Sequence, residues 1–154
     1  MLRLALTLVF LSSAPVSAQT PDQQTRFSDA IAAMDAQNLT FYTSVDDRFA
    51  ELLASSEEAP EYRENQRCVL ARIEKDGGAD MMEEYIAAAE TQSQIEITSL
   101  ITLANRLPKV MMSEIVFAAS AECGPMSHAL KQMATPEFVK LMDEPEIMQR
   151  LIGN

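Results

Sequence analysis

Between residues 108 and 125 the chain reads Pro-Lys-Val-Met-Met-Ser-Glu-Ile-Val-Phe-Ala-Ala-Ser-Ala-Glu-Cys-Gly-Pro, and from Val110 to Cys123 it is apolar on nearly every side. A helix apolar all round has no face to give to water, so it must be buried by other elements. Pro108 suits the start of such a helix, while Gly124 supplies a left-handed cap and Pro125 cannot continue it. At 100° per residue Met112, Val116, Ala119 and Cys123 share one stripe, so the last helical residue turns its thiol toward the packing partner. The spacing therefore predicts one buried helix over residues 108–123, tied covalently into a core.

The elements available to bury it are helical as well. Thr20-Pro21-Asp22-Gln23 has a capping residue, a proline at the first helical position and Gln at the third, and Phe27, Ala30, Ile31 and Met34 follow at helical spacing toward an end near Asn38. A second helix starting near Thr40 or Ser44 is predicted to carry Phe41, Val45, Phe49, Leu52 and Leu53, with Ser55 to Ala59 as a turn. Pro60 opens a third helix, which Gly77 and Gly78 close. Asp80 and Glu83 resemble another capping box, leading into Met82, Ile86, Ala89, Ser93, Ile97, Leu100 and Ala104. Those seven positions predict a helix of about 24 residues, roughly 36 Å long, antiparallel to the helix at 108–123. Ile97 lies on its buried arc and Gln92 off it. Beyond Gly124, Pro125, Pro136 and Pro145 punctuate short helical clips. No stretch alternates with period two and no internal repeat is present, so the fold class is all-α: a single-domain bundle of about five main helices plus short C-terminal ones.

The first residues have a different character. Met-Leu-Arg precedes an uncharged run from Leu4 to Leu11 and the small residues Val16-Ser17-Ala18. This predicts a secretory signal peptide over residues 1–18, with residues 19–154 as the helical domain. The apolar run is about half the ~20 residues a membrane span needs, so no stable anchor is expected after cleavage. The short leader makes the periplasm, or secretion, the expected location. Its two cysteines, Cys68 and Cys123, are then expected to form one intrachain disulfide. Closing a loop of that length is worth about 4 kcal/mol on the chain-entropy account. Cys68 lies off the stripe of Tyr62, Val69 and Ile73, an observation that counts against the pairing. With 12 basic against 23 acidic residues and a formal charge of −11, nucleic acid and anionic lipid are unsuitable partners.

Composition also restricts the chemistry. His128 is the only histidine, too few for di-iron, His-Glu-x-x-His zinc or multi-histidine haem sites. Nucleophile-elbow, phosphate-loop and Cys-x-x-Cys patterns are missing too. Ten methionines stand out in a chain without tryptophan. Most fall on apolar helix faces, where a flexible thioether fills gaps, but Met126, His128 and Met133 form a local soft-ligand set suited to Cu(I). Two charges, Glu114 and Glu122, fall inside the apolar span, and Glu114, the one set deeper in it, is a candidate buried acid or the partner of an arginine. The acidic groups at Asp46-Asp47 and Glu57-Glu58 lack the spacing of a calcium loop and read as solvated faces. The leading expectation is a non-catalytic helical binding or interaction protein, without a cofactor, whose partner is a protein or a small apolar ligand. A Cu(I)-handling protein using Met126, His128 and Met133 is the alternative, and an enzyme of unidentified type with Glu114 and His128 as acid or base is the third.

Overall fold

The computed structural model describes residues 19–53, 60–125 and 131–153. The leader expected at 1–18, the turn expected at 55–59, and Met126 and His128 lie outside them. Helix α1 runs over Pro21–Val45 and α2 over Phe49–Leu52, followed by α3 at Pro60–Gly77, α4 at Ala79–Gln92 and α5 at Leu100–Arg106. A 3-10 turn at Lys109–Met112 leads into α6, Glu114–Cys123, and the chain closes with α7 at Pro136–Met142 and α8 at Pro145–Ile152. The all-α expectation holds, and Cys68 and Cys123 form the disulfide, their Cα atoms 5.6 Å apart. Cys68 is exposed and Cys123 buried, so the bond pins α6 to the outer margin of α3.

Helix α1 is the common beam. Thr20 caps it by accepting from Gln23 N–H, and the Gln23 side chain returns the bond to the Thr20 N–H, the reciprocal box its sequence predicts. Two helices were expected here, broken near Asn38; the chain instead stays helical to Val45. Thr40 and Thr43 turn their hydroxyls back onto the Ala36 and Leu39 carbonyls, so these potential breakers are satisfied within the helix. Phe27, Ile31, Met34, Asn38, Phe41 and Val45 then form one stripe stepping by fours and threes, with Asn38 its only polar member.

That stripe serves two cores. The N-terminal half of α1 packs with α3, α4 and α6 around Phe27, Leu70, Ile73, Met82, Ile86 and Val116, with the Phe27 and Tyr85 rings 5.3 Å apart. Its C-terminal half meets α2, α7 and α8 around Phe41, Phe49, Phe138, Leu141, Ile147 and Leu151. Phe49 is completely buried and stacks edgewise on Phe138, a burial worth roughly 2–3 kcal/mol. Arg26 fastens the first core from outside, reaching Glu83 at 2.6 Å and both oxygens of Glu90.

Three expectations are corrected. The helix over residues 108–123 is two elements: Ser113 is extended (φ −74°, ψ 150°) and caps α6 by accepting from Val116 N–H. Only Val116, Ala119 and Cys123 of its stripe are buried, and Met112 is exposed. The long helix stops at Gln92, because the Ser93 hydroxyl folds back to the Glu90 carbonyl and Ser99 starts α5 as a new cap, accepting from Thr102 N–H. Consequently α6 packs on α3 instead of lying antiparallel to α4. The Asp80 capping box does not form either; Gly78, at φ 88°, takes the cap position, and Glu83 is held by Arg26.

A candidate ligand cavity between the two cores

A cavity of about 230 Å³ lies where the cores meet. Met34, Gln37 and Asn38 of α1 form one wall, and Thr102, Leu103, Arg106 and Leu107 of α5 and its exit form another. Gln92 and the turn residues Ile95, Glu96 and Ile97 complete it. The break in the long helix creates this space: had α4 continued, Ile95 and Ile97 would point round a cylinder. The turn brings both isoleucines to one wall.

Two glutamines brace the cavity by opposite attachments. Gln37 donates its side-chain amide to the Ser93 carbonyl at the end of α4. Gln92 donates its Nε2 to the Arg106 carbonyl at 3.1 Å, holding the end of α5. Gln92 is 6% exposed, whereas Ile97 is half-buried, so the expected order of burial at these two positions is reversed. Both polar anchors were missed in the sequence because a lone glutamine off a helix's apolar stripe looks like solvated surface. Asn38 gave a usable signal: it interrupts an apolar stripe at the level of the cavity.

Of the residues singled out in the sequence, Glu114 and Met133 do not line the cavity. Glu114 is exposed at the first position of α6, which corrects its expected place in a buried span. A carboxylate there complements the unsatisfied N–H groups and positive end of the helix, a sufficient reason for its presence. Arg72 of α3 pairs with the other acid of that stretch, Glu122, at 2.9 Å. Met133 is 42% exposed and Met112 53%, so neither fills a core; Met82 does, and Met34, Met81 and Met111 pack against one. Met126 and His128 fall outside the described residues, among which no group of three His, Cys, Asp or Glu is placed to hold a metal ion. Nor does any described helix have the length and apolarity to cross a membrane. A second hollow, between α2 and α7, is shallow and charged, and its Arg48 and Glu144 already pair with each other at 2.8 Å.

Among the described residues lining the cavity, no nucleophile is paired with a base. No protein-family model, curated protein or solved structure matches the chain.

Proposed function

We propose that the protein is an exported, non-catalytic binding protein that holds a small, largely apolar molecule in the cavity between its two cores. The observation carrying this reading is the cavity itself: walls of Met34, Ile95, Ile97, Leu103 and Leu107 with a few polar groups set among them. Such a combination is the ordinary composition of a ligand site. At ~30 Å³ per water-sized group the space admits about eight such groups, so the ligand is smaller than a typical drug-sized molecule. The disulfide supports an oxidising compartment, and the short leader supports the periplasm in particular.

A ligand that binds only the folded state raises stability by RT ln(1 + [L]/Kd). Titration with n-octanol, whose chain suits the cavity in size, is expected to raise the melting temperature progressively. Leu103→Trp fills the cavity and is expected to abolish the rise relative to its own ligand-free melting point. An equal rise in both proteins, or none in either, would overturn the reading.

A further inference from the structure

The amide oxygen of Gln92 defines what the cavity reads. Its nitrogen is committed to the Arg106 carbonyl, and Oε1 accepts no hydrogen bond from the described residues. The amide cannot flip, because that would set oxygen against carbonyl oxygen. Gln92 therefore offers the cavity an acceptor. Gln37 repeats the arrangement from α1, with its nitrogen on the Ser93 carbonyl and its oxygen left over. Glu96 on the rim adds further acceptors, and the chain's charge of −11 favours neutral or cationic molecules over anions. Arg106 is the one cation among the described residues lining the site. It is exposed, so its guanidinium stays hydrated and discriminates less than a buried amide.

We propose that Gln92, assisted by Gln37, favours ligands carrying a hydroxyl or amino hydrogen-bond donor on an apolar body over molecules of the same shape that only accept. This rests on the cavity being a ligand site. An occupant without a donor leaves the nearly buried Gln92 oxygen stripped of water and unpaired, and that loss is the source of selectivity.

The test compares three probes by calorimetry on the full mature protein: n-octanol, its isomer heptyl methyl ether, and octanoate. The alcohol is expected to bind about tenfold more tightly than the ether, the worth of one hydrogen bond in a buried site. Gln92→Met, of similar length, should retain ether binding and bring the ratio near one, with Gln37→Met producing a smaller reduction. Equal binding of alcohol and ether to the unaltered protein overturns the donor rule while leaving the cavity a ligand site. Tightest binding of octanoate overturns it too, since Arg106 would then be reading an acceptor. Binding of none of the three removes the cavity reading and this inference with it. The alcohol-to-ether ratio on the unaltered protein decides the matter even should Gln92→Met fail to fold.

Discussion

Asp46 shows how a residue in an acidic run can be structural. Its neighbour Asp47 is exposed, but the Asp46 side chain is only 15% exposed and receives Arg48 through both the guanidinium and the backbone N–H, with Arg150 of α8 at 3.8 Å. These bonds from Arg48, and then the nearby Arg150 charge, hold the carboxyl at about 2 against an ordinary 3.8. Because the folded value is the lower one, ionised Asp46 contributes fully above about pH 4, and the contribution disappears as pH falls through 2. Melting temperatures of the unaltered protein and Asp46→Asn should accordingly differ by a constant amount at neutral pH and converge between about pH 4 and 2. A difference that persists unchanged to pH 2 would mean that geometry, not charge, makes the clasp.

At the scale of elements, Ser113 decides between one helix and two. Within a continuous helix, Ser113→Ala would add stability, since alanine is the better helix former by a few tenths of a kcal/mol. As the cap of α6, the same change removes the acceptor of Val116 N–H and should cost about 1 kcal/mol, with Ser113→Asp largely preserving stability. Denaturant unfolding gives the sign directly, and a gain in Ser113→Ala would restore the single helix. This ambiguity explains what could be read beforehand. Boundaries with committed chemistry were legible: the Thr20 and Gln23 box, the left-handed Gly124 and the Thr135-Pro136 start all form as their residues dictate. Serines were not, because Ser93, Ser99 and Ser113 are tolerated inside helices and favoured at their ends, and only tertiary packing chooses. The cavity was hidden for the same reason. It exists because α4 ends at Gln92, and it is braced by a residue whose buried position follows from that ending.

At the scale of the whole molecule, the two cores share α1 but differ in how they are tied. The disulfide spans 55 positions and ties α3 to α6 within the first core, so its effect of about 4 kcal/mol should fall on openings that break that core. The second core, built on Phe49, Phe138, Ile147 and Leu151, has no such tie and meets the first across the cavity. Opening of α7 and α8 can then leave the first core intact, and the bond should not resist it. If the proposed leader is removed, intact mass is expected to show a chain that begins at Gln19 and takes up alkylating agent only after reduction. Hydrogen exchange of the Cys68→Ser/Cys123→Ser form is then expected to show lost protection in α3 and α6 with little change in α7 and α8. Equal loss throughout would make the molecule one cooperative unit. With n-octanol bound the asymmetry should shrink, because a molecule lodged between α1, α5 and the turn at Ile95 and Ile97 touches elements of both cores and must be released before they separate.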